Sequence, residues 1–284
     1  MTISEFKNHF KNSLSELYTE PECDFIFSIV IEKLLDYTPI QQKFYAENVL
    51  TDEHLQFLKD FIEGLKSGRP YQQVLGETEF YGHIFKVSEH VLIPRPETEE
   101  LLEIAISSLT KSHAEQEAEV LDIGTGSGII PIVLKLNFPH FKVESWDISP
   151  EALRTAQENT ELHHVEIQLE NKDYLNQNLS KKYDIIISNP PYIGQEEYGD
   201  INDSVKNFEP QIALFSPTND ALIFYKKIAK DAEEYLKKDG WVFLEINQKL
   251  GPETLELFEN PNFYDAQLLK DISGNDRIVM ARKK

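Results

Sequence analysis

One cysteine, Cys23, stands in 284 residues, so no internal disulfide can form and no clustered Cys/His set offers zinc its usual ligands. Cys23 itself reads as a small buried apolar residue. No run approaches the roughly 18 apolar residues of a membrane span. The start, Met1-Thr2-Ile3-Ser4-Glu5, has neither the basic segment nor the apolar core of a signal peptide, and the expected location is the cytoplasm. Positive charge is scarce: 28 Lys and Arg face 49 Asp and Glu, a net charge of −21. That balance argues against stable nucleic-acid binding through phosphates, which needs clustered cations to displace counterions. An acidic surface keeps a protein dissolved and suits a protein partner. No internal repeat, low-complexity segment or long linker is visible. A hydrophobic content of 40% is enough for one large domain or two smaller ones.

From Ser4 to about Gly68 the apolar residues recur at helical spacing, as in Phe6, Phe10, Leu14 and Leu17, then Phe25, Ile26, Ile29 and Val30, and later Leu58, Phe61, Ile62 and Leu65. Pro21, Pro39 and the cap Thr51-Asp52 divide this stretch into four or five short helices, and we assign residues 1–70 to a small helical bundle. Alternation from Glu77 to Val87 around Tyr81-Gly82 predicts a β-hairpin, within a linker of residues 71–92 that bridges to the remainder, 93–284. There, short apolar runs alternate with amphipathic segments, the pattern of βαβ units and a mostly parallel sheet. Seven strands are expected: Val120–Ile123, Lys142–Trp146, Val165–Leu169, Tyr183–Ser188, Trp241–Ile246, Asp265–Leu269 and Arg277–Ala281.

Two loops carry chemistry. The first strand runs into Gly124-Thr125-Gly126-Ser127-Gly128 and then an apolar helix; alternating glycines let the backbone turn tightly and approach a ligand at the helix start. The spacing is neither that of the dinucleotide fingerprint nor that of the lysine-bearing phosphate loop, and it resembles the first motif of S-adenosylmethionine-dependent methyltransferases. Asp147, at the end of the second strand, is placed to accept both hydroxyls of a ribose, with Ser149 as cap of the next helix. After the third strand, Asp173 and Tyr174 stand where such a fold meets an adenine. The second loop is Ser188-Asn189-Pro190-Pro191-Tyr192, where a buried strand stops at two prolines. Proline fixes its own φ and holds the preceding residue extended, so the Asn189 side chain and the Asn189 and Pro190 carbonyls become fixed acceptors. Two such acceptors suit a planar N–H2 group, with Tyr192 to cover its flat face.

Together with Gly68-Arg69-Pro70-Tyr71-Gln72, Phe80-Tyr81-Gly82, Leu92-Ile93-Pro94-Arg95-Pro96-Glu97-Thr98-Glu99, Phe208-Glu209-Pro210 and Asn275-Asp276-Arg277, these loops resemble the peptide chain release factor glutamine N5-methyltransferases, the HemK/PrmC family. The resemblance runs from about Gly68 to Ala281. It implies an α/β fold: a seven-stranded Rossmann-like methyltransferase domain, preceded by a small α-helical bundle that engages a class 1 release factor and by a β-hairpin linker. It further implies methyl transfer from S-adenosylmethionine to the glutamine amide of the release factor's Gly-Gly-Gln loop. Asn189, Pro190, Pro191 and Tyr192 would bind the glutamine, with Asn189, Pro190 and Tyr192 in the catalytic role. Gly124, Thr125, Gly126, Ser127, Gly128, Asp147, Asp173, Tyr174 and Asn189 would bind the cofactor. The family often carries tryptophan or another large apolar residue where Tyr174 stands, and the Glu245-Ile246-Asn247-Gln248 segment lacks its usual glycine.

Other readings compete. Methylation of the exocyclic amine of adenine in nucleic acid uses the same Asn-Pro-Pro-Tyr corner; glutamine methylation of a ribosomal protein shares the whole pocket; and a non-catalytic adaptor would need only the bundle. Glu97, Glu99 and Glu100 open a helix, where acids complement the dipole, and are not taken as an acid/base pair. His163-His164 reads as a solvated loop, and no metal site is expected.

Overall fold

The computed structural model describes residues 1–113 and 115–284, without the side chains of residues 195 and 200. Two compact units divide the chain, Met1–Gly76 and Glu77–Lys284. The first holds α1 (Ile3–Leu14), α2 (Glu20–Leu35), α3 (Pro39–Phe44), α4 (Asp52–Lys66) and α5 (Tyr71–Leu75). Threonines start these helices: Thr2 and Glu5 form a reciprocal capping box, and Thr51 Oγ1 accepts the His54 N–H at 3.2 Å. Pro21 and Pro39 lie in first turns, where no N–H is needed. The helical-period residues Phe6, Phe10, Leu14, Val30, Leu58, Phe61 and Leu65 are sealed together, with Phe10 against Phe27 and Phe61, and Cys23 is buried among them.

The second unit opens with the hairpin β1 (Glu77–Phe80) and β2 (His83–Lys86), followed by α6 (Pro96–His113). Then come β3 (Glu119–Ile123), α7 (Ile129–Asn137), β4 (Lys142–Asp147), α8 (Pro150–Leu162), β5 (Gln168–Asn171) and β6 (Tyr183–Ser188). After α9 (Asp203–Phe208), α10 (Gln211–Leu214) and α11 (Ile223–Tyr235), the chain finishes β7 (Leu236–Glu245), α12 (Gly251–Glu256), β8 (Phe263–Lys270) and β9 (Asp276–Lys283). The seven-stranded sheet has the order β5-β4-β3-β6-β7-β9-β8, parallel except where β9 pairs with β7 and β8. Its central strands are apolar on both faces because both are covered: Val120, Ile185, Ile187 and Phe243 join α6 and α7 on one side, while Leu121, Ile186, Val242 and Leu244 join α11 on the other.

Two strands differ from the sequence reading by three residues or more at their start, the others by at most two at either end. β5 begins at Gln168 rather than Val165, because the chain is still leaving α8: the Val165 N–H donates to the Thr160 carbonyl, and His164 adopts φ 53°. β7 extends back to Leu236, which pairs with Tyr183, but the ladder then skips to Trp241 opposite Ile185 and loops out the residues between. His163 is not in a solvated loop; its Nε2 lies 2.9 Å from the Ile84 carbonyl and its ring packs on Phe85.

Asn159 ties the hairpin to the glycine loop. Fully buried, its side chain accepts the Lys86 N–H at 2.7 Å and donates to the Lys86 and Ser127 carbonyls at 2.9 and 2.8 Å. Asn159→Leu strands these groups without water, and urea unfolding is expected to show a loss of about 2–4 kcal/mol, the combined cost of orphaned buried backbone groups.

Candidate active site

In the strand order, β4 and β5 lie on one side of β3 and β6 on the other, so the connections leaving β3 and β6 diverge and open a crevice at their carboxyl ends. A cavity of about 1120 Å3 occupies it. Gly124, Thr125, Gly126, Ser127, Asp147, Asp173, Tyr174, Asn189 and Pro191 all line this cavity, so most of the residues singled out in the sequence converge on one space. Gly128, Pro190 and Tyr192 are not among its lining residues. Gly128 is a packing glycine: with φ at 82°, a Cβ there would come within 3.2 Å of Ala156 and Ile132.

The glycine loop is pinned by the neighbouring strand. The Gly124 and Thr125 N–H groups both donate to the Trp146 carbonyl, at 2.9 and 3.1 Å. Asp147 Oδ2 accepts the Gly126 N–H and Oδ1 accepts the Ser149 N–H, each at 2.8 Å; burial pushes its carboxyl up, and these donors act against that. Ser149 caps α8 by accepting the Ala152 N–H. A Cβ on Gly126 would meet nothing within 4 Å, whereas one on Gly124 would sit 3.5 Å from the Asn189 carbonyl oxygen. The bare loop therefore gives a ligand open access to backbone beside an acceptor carboxylate, an arrangement that fits an amino-acid and ribose moiety.

Asp122 stands behind this wall instead of on it. It is fully buried, accepts a short hydrogen bond from Ser145 Oγ, and has no partner for Oδ1. Burial raises it to about 7. Asp173 caps a 3-10 turn, accepting the Leu175 N–H at 3.1 Å and the Asn176 amide at 2.7 Å. Tyr174 lines the cavity and packs its ring edge-on against Trp146, while its hydroxyl donates to Asp231 at 2.8 Å.

At the corner after β6, Asn189 Nδ2 donates to Thr98 Oγ1 at 3.1 Å, which leaves Oδ1 as the free acceptor. The Tyr192 hydroxyl turns inward to Glu245 Oε1 at 3.2 Å, and Asn247 Nδ2 donates to the Tyr192 carbonyl at 3.1 Å. Glu209 accepts the Ile93 N–H at 3.0 Å and pairs with Arg95, joining the 93–99 and 208–210 segments. The helix-opening acids serve loops, Glu99 accepting the Tyr81 N–H and Glu100 the Ile272 N–H. The family resemblance implied that the 93–99 segment lies beside the pocket, and Thr98 does line it, but sequence reasoning singled out neither Thr98 nor Glu245 as a partner of the corner. They are 147 positions apart, and the only signal was a polar residue at an apolar position of a helix and of a strand end.

Residues 102–205 match the family model of the methyltransferase small domain. The chain is 40% identical over 280 residues to the release factor glutamine methyltransferase of Flavobacterium psychrophilum, covering 98% of both chains. It is 34% identical over 277 residues to that of Bacteroides thetaiotaomicron, covering 97% of this chain and 98% of the other. The chain belongs to the release factor glutamine methyltransferases. A solved methyltransferase from Pyrococcus furiosus shares the fold of this release factor glutamine methyltransferase, with a TM-score of 0.51 at 16% identity over 82% of this chain and 99% of that one.

Because Asp122 is raised from 3.8 to about 7, the stability it lends is full below its unfolded value and is lost as pH rises through the folded value. Chemical denaturation is expected to show wild type weakening from about pH 4 to pH 7, and Asp122→Asn flattening that decline by at least about 2 kcal/mol. An unchanged slope in the variant would remove Asp122 as its source.

Proposed function

We propose that this release factor glutamine methyltransferase acts on the side-chain amide nitrogen, N5, of the glutamine in the Gly-Gly-Gln loop of class 1 peptide chain release factors. The observation that carries the reading is the contact between the two loops: the Asn189 carbonyl closes on Gly124, so an amide held at the corner is adjacent to whatever the glycine loop holds. S-adenosylmethionine is the cofactor, and when bound it supplies a methyl group on a sulfonium as the electrophile. Gly124 to Ser127, Asp147, the Asp173-Tyr174 turn and Asn189 are the residues that would hold it, with Gly128 packing the start of the following helix behind them.

An amide nitrogen is a poor nucleophile because its lone pair is delocalised into the carbonyl. Asn189 Oδ1 and the Pro190 carbonyl accept its two N–H bonds and turn it for attack. Acceptors that strengthen as the nitrogen becomes positive favour the transition state over the ground state. Proximity alone supplies up to about 7–11 kcal/mol in well-aligned systems. Pro191 and Tyr192 keep the corner rigid and the amide plane fixed, and the proton leaves to water once nitrogen carries the methyl, so no general base is assigned.

Residues 1–70 are the release-factor-engaging bundle in this reading, residues 71–92 the hairpin linker and residues 93–284 the catalytic region. The net charge of −21 speaks against stable nucleic-acid binding, and no helix among the described residues is long and apolar enough to cross a membrane. Both fit an enzyme working in the cytoplasm on translation factors.

Labelled S-adenosylmethionine tests the assignment. Label is expected on a class 1 release factor with its native Gly-Gly-Gln loop, none on a Gly-Gly-Ala loop, and none on duplex DNA; label on DNA would move the assignment to adenine methylation. Asn189→Ala is expected to lower turnover at least about 100-fold, the scale of removing one preorganised transition-state partner, with the melting temperature retained. Asp147→Ala is expected to weaken cofactor binding, read by calorimetry, by about tenfold or more, one lost charge-assisted contact.

A further inference from the structure

Beneath Asn189 lies a chain of hydrogen bonds with a defined direction. Asn189 Nδ2 donates to Thr98 Oγ1, Thr98 Oγ1 donates to Glu245 Oε2 at 2.7 Å, and the Tyr192 hydroxyl donates to Glu245 Oε1. Thr98 and Glu245 are each 1% exposed, so water does not compete. A carboxylate only accepts, and a hydroxyl has one proton. An ionised Glu245 therefore draws both hydroxyl protons toward itself, and Thr98 keeps only lone pairs for Asn189. The Asn189 amide must then turn its N–H2 inward and its oxygen outward.

We propose that Thr98 and Glu245 are positioning residues that fix the orientation of the Asn189 carboxamide, so that its oxygen, and not its nitrogen, meets the substrate amide. This rests on the reading that Asn189 accepts from the substrate. A flipped Asn189 would set N–H against N–H and reject the glutamine.

The direction depends on Glu245 being ionised. If the acid is protonated it can donate to Thr98, the Thr98 proton is released toward Asn189 Oδ1, and the flipped amide is satisfied equally well. Around Glu245 stand Glu97 of α6, Tyr192 after β6, Tyr225 of α11 and Arg277 of β9, the last also paired with Asp271. Burial, the largest influence, lifts the carboxyl to about 7, with Glu97 adding to the rise while Thr98, Arg277 and Tyr192 oppose it.

The test uses the full chain, labelled S-adenosylmethionine and a class 1 release factor, with kcat and KM followed against pH and with cofactor binding and melting temperature measured for each variant. Wild-type kcat is expected to rise with pH through about 7 and then level off. Thr98→Val should lower kcat about 10–100-fold, the cost of an orphaned buried donor, with KM and cofactor affinity within about threefold. Thr98→Ser, which keeps the hydroxyl, should recover most of that loss, and the isosteric Glu245→Gln should remove the pH step. Thr98→Val at the wild-type kcat, equal losses in the Val and Ser variants, or a pH step unchanged in Glu245→Gln would each overturn the proposal. Wild type and Asn189→Ala run alongside separate the two levels: an active Asn189→Ala enzyme, or no label on the native loop, brings down the reading of the corner and this inference with it. If both controls behave as expected and the Thr98 and Glu245 variants do not, only the inference falls.

Discussion

The parallel pairing of β3 with β6, ending at Ile123 opposite Ser188, is the constraint on which the site depends. The Ser188 hydroxyl donates to the Ile123 carbonyl at 2.7 Å and locks the last rung. One residue further along each strand the chain is free to form Gly124 on one side and Asn189 on the other. Because the connections leave in opposite directions, neither loop covers the other. A one-residue slip would turn each strand's side chains to the opposite face and carry the Asn-Pro-Pro corner away from the glycines. Gly124 matters here for its backbone: its φ of 81° lies in the left-handed region that favours glycine, and that turn sets it beside the Asn189 carbonyl.

Acidic residues dominate the composition, yet the informative ones lie inside. Asp122, Glu209 and Glu245 are buried, and Asp147 sits at the cavity wall, each accepting from N–H or O–H groups of segments distant in sequence. Buried carboxylates are costly as stabilisers, because removing them from water offsets much of what their partners return. Their value lies in direction: an acceptor with no proton dictates where its neighbours' protons go. Glu209 illustrates this, bringing the backbone of Ile93 and the side chain of Arg95 to a point 116 and 114 positions away.

Patterns with a local cause were legible in the sequence. The β-branched runs of Tyr183–Ser188 and Val120–Ile123, the glycines after a strand, the cap at Ser149 and the prolines at helix starts all appear where period, propensity and cap chemistry place them. The start of β5 was not, because Val165 and Ile167 pack partly against the core while the backbone is still unwinding from α8, and apolar character alone does not separate those states. The looped-out residues before Trp241 were missed for a related reason: Gly240 lies against the Asp184 carbonyl, a close approach that only the folded neighbour creates. The roles of Thr98, Glu245 and Asp122 were out of reach because they are set by partners brought together by the sheet. The inward turn of the Tyr192 hydroxyl belongs to the same class.

An amide substrate explains why the corner is built from acceptors rather than from a base. A side chain strong enough to deprotonate a neutral amide would itself be protonated at neutral pH, so a carboxylate pointed at the nitrogen would gain little. The carboxylates near the corner are in fact already engaged: Asp147 holds Gly126 and Ser149, and Glu245 lies behind Thr98 and Tyr192, off the cavity wall. What the fold offers the amide is rigidity. In the proposed reading, two prolines, a locked strand end and a hydrogen-bond chain directed by ionised Glu245 leave the Asn189 oxygen little freedom to lose when substrate arrives, so the ordering cost of the reaction is met when the chain folds.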